Sequence, residues 1–420
     1  MGLFQPDGGY SCCYGGLAVS QLPTIANQNV GGKRLVIRAD LNAPVQNDVV
    51  SDSTRITRFA EGIKPLLAAG ARITILSHFG RPKGERNMDF SILPIVPVLA
   101  AALGQEVQFS TNCIGPNAQK ASEVLGNGEV LLCENVRFHA GEETNDAEFA
   151  AELAKLGDIY VNDAFSAAHR AHASTAAITK FLPSFAGPLM AEEIAALTDA
   201  LEDPQRPAIA VVGGAKVSSK IAVLKNLVGK VDAVVVGGGM ANTFMLADGH
   251  PIGKSLSEPD QVPVVHEIRE LAAKSGCKII LPVDVVCAED FAANAKNTTT
   301  NLDGCPNDAM ILDAGPKSVE VIVEEFSKAK TILWNGPMGA FEMEPFDMAT
   351  IALAKAAARL TKNGILASIA GGGDTVAALN VAGVADDFTY VSTAGGAFLE
   401  WLEGKELPAI AALKRAAVAN

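Results

Sequence analysis

The sequence predicts an α/β protein built from two domains, each with a parallel sheet covered by helices on both faces. Three observations support this prediction. Short apolar runs alternate with helical patterns along the chain, which is the order of βα units in a parallel sheet. The alternation is interrupted once, by a helical segment that ends at Asp203-Pro204, and it then starts again. The length of 420 residues suits two domains of ordinary size.

The composition argues against several classes of function. The chain is 49% hydrophobic and 19% charged, and its formal net charge of −13 argues against a nucleic-acid surface and against binding to anionic membranes. No apolar run approaches the ~18 residues that a membrane-spanning helix needs. The seven cysteines form no CxxC pair and have no histidine at metal-binding spacing. We therefore expect buried free thiols in a reducing cytoplasm.

Residues 1–30 form an unusual leader. It contains no Lys or Arg, the first being Lys33, so the basic region of a secretory signal and the arginines of a transit peptide are both missing. We interpret Met1–Ser20 as a glycine-rich, poorly ordered segment, or as the product of an upstream start in the gene.

In the first half, four apolar segments are predicted strands, and helical patterns separate them. The strands are predicted at Arg34–Leu41, Arg72–Leu76, Val130–Val136 and Asp158–Val161, and a helix is predicted at Thr54–Ala69. Each strand runs into a polar or charged turn. Because ligands of parallel sheets sit beyond the carboxyl ends of the strands, these turns are candidate binding segments.

The first half also supplies the side chains for an anion pocket. Guanidinium groups bind phosphate and carboxylate in a bidentate way, and His, Asp and Asn side chains can orient hydroxyl groups. Each arginine considered alone is typical of a solvated surface charge, and only their repetition near strand ends favours a small anionic ligand. The candidates are Asp40, Asn42, Arg55, His78, Arg81, Arg137 and Arg170.

A helix is predicted between the two series of βα units. Met190–Glu202 has Ile194 and Leu197 at helical spacing, and Asp203-Pro204 ends the pattern. A core helix of one large domain would show the same spacing. We favour a helix that joins two domains, because a new βα series begins directly after it.

In the second half, most predicted strands end in glycine. Glycine-rich strand ends expose backbone N–H groups and allow a nucleotide to lie against the main chain. The strands are predicted at Ala208–Val212, Ala233–Val236, Lys278–Val286, Ala309–Leu312, Thr331–Trp334, Ile365–Ile369 and Phe388–Val391.

The segment after the first of these strands is a candidate phosphate site. Gly213-Gly214 leads into a helical pattern that starts near Val217, which predicts free N–H groups beside the positive end of a helix dipole. Lys216 and Lys220, one helical turn apart, would add positive charge on one face. An ordinary tight turn between strand and helix would show the same glycines.

A second glycine segment, Gly371-Gly372-Gly373-Asp374-Thr375, combines amide donors with a carboxylate. The three glycines expose N–H groups to phosphate, and a carboxylate beside phosphates is a natural Mg²⁺ ligand. Asp374 could instead cap the helix that follows.

The motifs of both halves together resemble those of the phosphoglycerate kinase family. The resemblance runs from about Val30 to the C-terminus, and the motifs occur in the family's order. Ala43, Phe79 and Ala394 depart from the family's usual residues without removing a functional group, although Ala394 adds a methyl to a glycine run. The matching stretches are Arg38–Pro44, Ser77–Pro82, Leu132–His139, Tyr160–Ser174, Val212–Lys220, Trp334–Glu342, Gly371–Thr375 and Ser392–Lys405.

The resemblance implies an α/β fold of two Rossmann-like domains with parallel sheets that face each other across a cleft and are joined by a helix. After the leader (1–30), residues 31–189 would form an N-terminal domain that binds 3-phosphoglycerate. Residues 190–203 would form the interdomain helix, and residues 204–406 a C-terminal nucleotide-binding domain. Residues 407–420 would pack back toward the N-terminal domain.

The resemblance also implies roles for the candidate residues. The family's substrate-binding positions fall on the candidates of the first half. Arg55, Lys216 and the amides of Gly371–Gly373 would stabilise the transferred phosphoryl group, and Asp374 would hold Mg²⁺. The family's nucleotide-binding positions fall on Gly213, Lys216, Lys220, Gly237, Asn335, Glu342, Gly371, Gly372, Gly373, Asp374 and Thr375.

The implied reaction is reversible phosphoryl transfer from 1,3-bisphosphoglycerate to ADP, which gives 3-phosphoglycerate and ATP and serves glycolysis, gluconeogenesis or carbon fixation. The implied protein is a cytoplasmic, hinge-bending monomer that uses Mg²⁺ and binds neither nucleic acid nor membrane. Two alternatives remain open: another small-molecule kinase on the same frame, and a non-catalytic member of the family. The latter predicts loss of Arg55, Lys216 or Asp374, and all three are present.

Overall fold

Two parallel sheets dominate the structure, as the sequence predicts, and each has six strands. In the computed structural model, which describes residues 22–47 and 49–419, one sheet draws its strands from residues 34–186 and the other from residues 208–392. The prediction of a poorly ordered segment at Met1–Ser20 lies outside the described residues. Within the described end of the leader, Ile25 is buried in the core beside the first sheet.

The first sheet has helices on both faces. Its helices are α1 (Thr54–Ala68), α2 (Ile95–Leu103), α3 (Gly115–Val124), α4 (Ala140–Glu143) and α5 (Ala147–Ala154). The strands of this half are β1 (Arg34–Ala39), β2 (Val45–Gln46), β3 (Val49–Val50), β4 (Arg72–Leu76), β5 (Val107–Ser110), β6 (Val130–Cys133), β7 (Ile159–Asp163) and β8 (Ser184–Ala186). The sheet has the order β5-β6-β4-β1-β7-β8, and β2 pairs with β3 as a short antiparallel ribbon.

Burial explains why these segments fold as they do. All residues of β1 after Arg34 are buried, as expected for a central strand covered on both faces. Helix α1 buries Ile56, Phe59 and Ile63, which recur at helical spacing along one face. The predictions for β4 and for α1 are correct to within one residue.

In the first half, one predicted strand is too long and two strands of the sheet were missed. The predicted strand Val130–Val136 ends at Cys133, because Asn135 caps a 3₁₀ turn by accepting a hydrogen bond from the Arg137 N–H at 3.0 Å. The short strands β5 and β8 were not predicted. Both are short edge strands, of 4 and 3 residues, and segments of this length show no clear alternation in the sequence.

The connection between the sheets is helical. Helix α6 (Pro188–Leu197) continues as a π-helical turn through Thr198–Glu202. Met190, Ile194 and Leu197 are buried, which fits the helical spacing seen in the sequence.

The second sheet has the same parallel architecture. Its half of the chain contains α7 (Ile221–Leu227), α8 (Gly238–Ala247), α9 (Val262–Ser275), α10 (Pro316–Lys328), α11 (Met348–Lys362), α12 (Gly373–Ala382), α13 (Gly395–Leu402) and α14 (Pro408–Ala419). The strands are β9 (Ala208–Val212), β10 (Ala233–Val236), β11 (Lys278–Ile280), β12 (Asp284–Ala288), β13 (Asn297–Asn301), β14 (Met310–Ala314), β15 (Thr331–Asn335), β16 (Ala367–Gly371) and β17 (Tyr390–Ser392). The sheet order is β11-β10-β9-β15-β16-β17.

A small antiparallel sheet, β13-β12-β14, was not predicted. The predicted strand Lys278–Val286 is in fact two strands, β11 and β12, because Pro282 lies between them and has no N–H to donate to a ladder. The predicted strand Ala309–Leu312 belongs to this small sheet as β14 and not to the parallel one. This sheet forms one wall of the cavity described below.

The remaining predictions concern the C-terminus, the cysteines and membranes. Helix α14 returns to the first half of the chain, where the Ala409 N–H donates to the Ala168 carbonyl at 3.1 Å. The five described cysteines are buried and free, whereas Cys12 and Cys13 lie outside the described residues. Among residues 22–47 and 49–419, no helix is long and apolar enough to cross a membrane.

Candidate active site

The first sheet gathers charged candidates at one edge. Strands β6, β4, β1 and β7 are neighbours and parallel, so their carboxyl ends lie side by side. Asp40, His78, Arg137 and Arg170 follow these strands, and His78 interacts electrostatically with the other three. We call these four residues, together with Asn42 and the buried Arg38, the basic pocket.

Hydrogen bonds to Gly80 fix the loop that carries His78 and Arg81. The Gly80 N–H donates to Oδ1 of Asn42 at 3.0 Å, and Nη1 of Arg137 donates to the Gly80 carbonyl at 2.7 Å. Arg81 itself is exposed. Two of the predicted residues therefore position the loop, and the loop carries two others.

Asn135 holds the same loop and was not predicted as a site residue. Its Nδ2 donates to the Phe79 carbonyl at 2.7 Å, and its Oδ1 accepts from the Phe79 N–H at 3.2 Å. The signal for this role was available, because a buried amide directly after an apolar strand must find several partners.

Arg137 is the most unusual charge in the pocket. It is only 2% exposed, and its Nη2 is buried with no hydrogen-bond partner among the described residues. Burial lowers its pKa to about 10, and the positive charges of Arg170 and Arg38 act in the same direction. Glu143 lies 3.3 Å from Nε and offsets this only in part. The pocket thus has an excess of buried positive charge and a donor directed at no protein atom.

Sequence reasoning also missed Arg38. Its side chain is fully buried on β1, and Nη2 lies 3.1 Å from Nδ1 of His78. The signal was an arginine inside an otherwise apolar central strand. Burial of a charge at such a position costs free energy unless the charge is paired, so a functional role is favoured.

Arg55 connects the basic pocket to the second half of the chain. From α1, its Nη1 forms an ion pair with Oδ2 of Asp40 at 2.8 Å. Its Nη2 donates at 3.1 Å to the carbonyl of Thr393, the residue that follows β17. The cleft beside it has a volume of about 790 Å³ and is also lined by Gly372 and Gly373. The structure therefore brings Arg55 and this glycine segment to the same cleft.

The glycine ends of the second sheet form part of a separate cavity of about 270 Å³. One wall is the small antiparallel sheet, which contributes Val285 and Leu312, and Phe291 lies beside it. An apolar cavity with a few polar groups at its rim suits a flat heterocyclic ring joined to a charged chain. The cavity is also lined by Gly214, Gly238, Met338, Glu342 and Asp374.

Close backbone packing explains two of the glycines. A Cβ on Gly213 would lie 1.8 Å from the Pro337 carbonyl oxygen, so no other residue fits there. A Cβ on Gly237 would lie 2.5 Å from the sulfur of Met338. These predicted nucleotide-binding glycines therefore let the loops after β9, β10 and β15 pack together at the floor of the cavity.

Asn335 organises the glycine segment before α12. Its Nδ2 donates to the Gly371 carbonyl at 2.7 Å, and its Oδ1 accepts from Nζ of Lys220. Gly372 has φ +96°, a conformation that favours glycine, and Thr375 accepts a hydrogen bond from the Gly336 N–H at 2.7 Å. The amides at the start of α12 are therefore held in a defined orientation.

Lys220 is partly buried beside this segment. Burial lowers its pKa to about 8, although the carboxylates of Asp374 and Glu403 favour the charged form. The ammonium group of Lys220 therefore loses its proton more readily than that of an ordinary lysine, and a nearby phosphate would stabilise the charged form.

The helix after Gly213-Gly214 was predicted to start near Val217, and this start is wrong. Lys216 has an extended backbone, a 3₁₀ turn follows at Val217–Ser219, and α7 begins only at Ile221. Glu258 explains the difference, because its carboxylate accepts from the Ser218 N–H at 2.9 Å and thereby stabilises the turn. Lys216 and Lys220 are thus not on one helical face, and Lys216 is exposed directly after the cavity-lining residues.

Asp374 and Glu342 are exposed carboxylates at the rim of the cavity. Asp374 lies in the first turn of α12, whose N-cap is Gly372 with no side-chain cap bond. The alternative role of Asp374 as an N-cap is therefore not observed. Among the described residues, no cluster of three or more metal-binding side chains occurs. A single carboxylate fits Mg²⁺, which usually takes one or two protein carboxylates together with substrate phosphates.

Comparison with known proteins gives a consistent result. Residues 25–405 match the family model described as phosphoglycerate kinase. The phosphoglycerate kinase of Methylobacterium radiotolerans is 58% identical over 383 residues, which are 91% of this chain and 96% of the relative. That of Allorhizobium ampelinum is 57% identical over 389 residues, which are 93% and 97% of the two chains.

Solved structures agree with the sequence comparison. The structure of phosphoglycerate kinase from Coxiella burnetii is similar with a TM-score of 0.88 at 43% identity, covering 94% of this chain and 99% of that one. The phosphoglycerate kinase structure from Pyrococcus horikoshii gives a TM-score of 0.79 at 30% identity, covering 95% and 100% of the two chains.

Proposed function

The chain belongs to the phosphoglycerate kinase family, and we propose that its basic pocket binds 3-phosphoglycerate while its glycine-lined cavity binds ADP or ATP. The enzyme transfers a phosphoryl group reversibly from 1,3-bisphosphoglycerate to ADP. The products are 3-phosphoglycerate and ATP, so the chain is a phosphotransferase with a carboxyl group as acceptor in the reverse direction.

One observation carries the assignment of the acidic substrate. Nη2 of Arg137 is a buried donor without a partner among the described residues, and it belongs to a cluster that also contains Arg38 and Arg170. A phosphate or carboxylate would pair with these groups and offset their mutual repulsion. A nucleotide base has no charge to supply, so this pocket suits a small phosphorylated acid and does not suit the base of a nucleotide.

The cavity supports the assignment of the nucleotide. Its apolar wall at Leu312 and Phe291 would accept the base, and Glu342 at the rim would accept hydrogen bonds from ribose hydroxyls. The phosphates would extend toward the amides of Gly371–Gly373, with Lys220 adjacent. Asp374 would hold Mg²⁺, which neutralises phosphate charge when it is bound.

Phosphoryl transfer requires little covalent chemistry from the protein. The attacking carboxylate or phosphate oxygen is already ionised, so no general base is needed. The protein must align donor and acceptor and offset the charge of the transferred group. Arg55, Gly372 and Gly373 line the same cleft, and Lys216 is exposed directly after Ala215, which lines the glycine-lined cavity. We assign these groups to the transferred phosphoryl group.

The division of ligands between two sheets favours a hinge-bending mechanism. Reacting atoms must approach to ~3–3.5 Å, whereas substrates must first enter the cleft. Helix α6 connects the sheets, and Arg55 already forms a hydrogen bond from one to the other. We further assign residues 31–189 and 204–406 to the two moving domains, and we propose a cytoplasmic monomer.

A coupled assay tests this function. Purified protein with ATP, Mg²⁺ and 3-phosphoglycerate should produce 1,3-bisphosphoglycerate, which glyceraldehyde-3-phosphate dehydrogenase converts with oxidation of NADH. Omission of 3-phosphoglycerate is the control. The alternative of another small-molecule kinase would be favoured if ATP is consumed with a different phosphate acceptor and not with 3-phosphoglycerate.

A further inference from the structure

Arg38 is fully buried, and each of its three side-chain nitrogens has a polar partner. Its Nε donates to Oγ of Ser174 at 2.8 Å, and its Nη1 donates to the Ala39 carbonyl. Its Nη2 lies 3.1 Å from Nδ1 of His78. These contacts hold the guanidinium group against the His78 ring, so Arg38 can act on the bound anion through His78 as well as through its own charge.

A buried carboxylate holds Arg38 in this position. Glu142 is fully buried and accepts two hydrogen bonds from Ser174, one from the hydroxyl at 2.6 Å and one from the backbone N–H at 2.9 Å. The Ser174 hydroxyl thus donates to Glu142 and accepts from Arg38, so it joins the two opposite charges. Tyr160 fixes the backbone of Ser174 by donating to its carbonyl at 2.6 Å, and Nδ1 of His172 lies 3.7 Å from Glu142.

The contact with Arg38 determines which ring nitrogen of His78 carries the proton. A guanidinium group has only donors, so Nδ1 of His78 must accept and the ring proton must reside on Nε2. Burial holds the pKa of His78 well below its ordinary value, and the charges of Arg38, Arg137 and Arg170 outweigh the opposing carboxylate of Asp40. The ring is therefore neutral near pH 7. Within residues 22–47 and 49–419 its ring makes a hydrogen bond through Nδ1 and none through Nε2, which is therefore free to bind a ligand.

We propose that Arg38 is a positioning residue that fixes the tautomer of His78, so that the ring presents an N–H donor to the substrate anion. Ser174 and Glu142 hold Arg38 in the orientation that makes this selection. The proposal rests on the proposed function in one respect, namely that the anion in the basic pocket is 3-phosphoglycerate. Without the contact from Arg38, a fraction of the His78 rings would carry the proton on Nδ1. The lone pair on Nε2 would then face the anion and repel it.

Nitrogen NMR of the free, full-length protein tests the tautomer without any activity. With ¹⁵N-labelled histidine, the His78 ring should show a protonated Nε2 and an unprotonated Nδ1 at pH 7.5. Arg38→Met should give a mixture of tautomers, and Ser174→Ala, which is gentler on folding, should give a smaller change of the same kind. Arg34→Met is the matched control, because Arg34 lies on the same strand but pairs with Asp158. A wild-type proton on Nδ1, or an unchanged pattern in both variants, overturns the proposal.

A pH profile supplies the second readout. At pH 8, Arg38→Met should lower kcat/KM for 3-phosphoglycerate by about tenfold, the value of one charge-assisted hydrogen bond. The kcat/KM ratio of wild type to variant should stay nearly constant between pH 8 and pH 7. It should shrink only in the more acidic range where His78 takes up a proton, because burial places the pKa of this ring well below its ordinary value and a protonated imidazole carries both N–H groups whatever its neutral tautomer. A ratio that stays constant through that acidic range identifies a purely structural role and overturns the proposal. If the wild type shows no turnover of 3-phosphoglycerate, the proposed function fails while the NMR result still stands.

Discussion

Removal of Arg55 should impair domain closure and phosphoryl transfer by different amounts. Arg55→Ala loses the ion pair to Asp40 at 2.8 Å and the hydrogen bond to the Thr393 carbonyl at 3.1 Å. Only the second bond joins the two sheets. A charged hydrogen bond contributes about 1.5–3 kcal/mol when buried, but this side chain is 36% exposed, so we discount it to about 1 kcal/mol. The closed state should then lose about fivefold in population relative to the open state.

The same arginine is also assigned to the transferred phosphoryl group. Loss of one such donor costs roughly 10²–10³-fold in turnover, far more than the loss of closure alone. Turnover is measured in the coupled assay, and closure is measured by small-angle scattering as the decrease in radius of gyration when both ligands bind. Arg58→Met is the matched control, because Arg58 lies one turn along α1 and contacts Glu192 and the Tyr390 ring. It should lower turnover by no more than the closure effect. Turnover of Arg55→Ala within about fivefold of wild type would refute its assignment to the phosphoryl group.

Four further changes test the rest of the site. Lys216→Ala should lower kcat by roughly 10²–10³-fold with a smaller change in nucleotide affinity, and unchanged turnover would remove it from the transfer site. Asp374→Ala should weaken MgADP far more than metal-free ADP in calorimetry, and equal losses would contradict metal binding. Arg137→Ala should raise KM for 3-phosphoglycerate and leave that for ATP nearly unchanged, and a nucleotide defect would reverse the assignment. The affinity for ADP should fall as pH rises through about 8, where Lys220 loses its charge, and Lys220→Arg should abolish this dependence.

The parallel sheets could be predicted because each central strand has a recognisable pattern within its own few residues of sequence. Strands such as β9 and β10 are uninterrupted apolar runs that are followed by glycine, and their predicted limits agree with the structure. The small antiparallel sheet could not be predicted in this way. Strand β13 is Asn297–Asn301, a mostly exposed polar segment whose only reason to be extended is its pairing with β12. Such a strand depends on a tertiary partner and leaves no periodic pattern in the sequence.

The basic pocket, too, could be predicted from the sequence only in part. Charged residues at strand ends could be recognised from sequence, because the topology of a parallel sheet brings them to one edge. Arg38 and Glu142 could not be paired from sequence. They are joined only through Ser174, a residue more than a hundred positions from Arg38 along the chain. The error at Lys216 has the same origin, because Glu258, far along the chain, stabilises the turn that delays the helix.

The acidic character of the whole chain and the positive character of its substrate pocket are compatible because they act over different distances. The net charge of −13 is spread over an exposed surface and is screened beyond about 8 Å at physiological ionic strength. Arg38 and Arg137 are 0% and 2% exposed, so salt screens their field in the pocket much less. A small anion can reach that field through the cleft, whereas a long polyanion must also lie along the acidic surface. The burial of these arginines therefore favours a small phosphorylated substrate and disfavours nucleic acids.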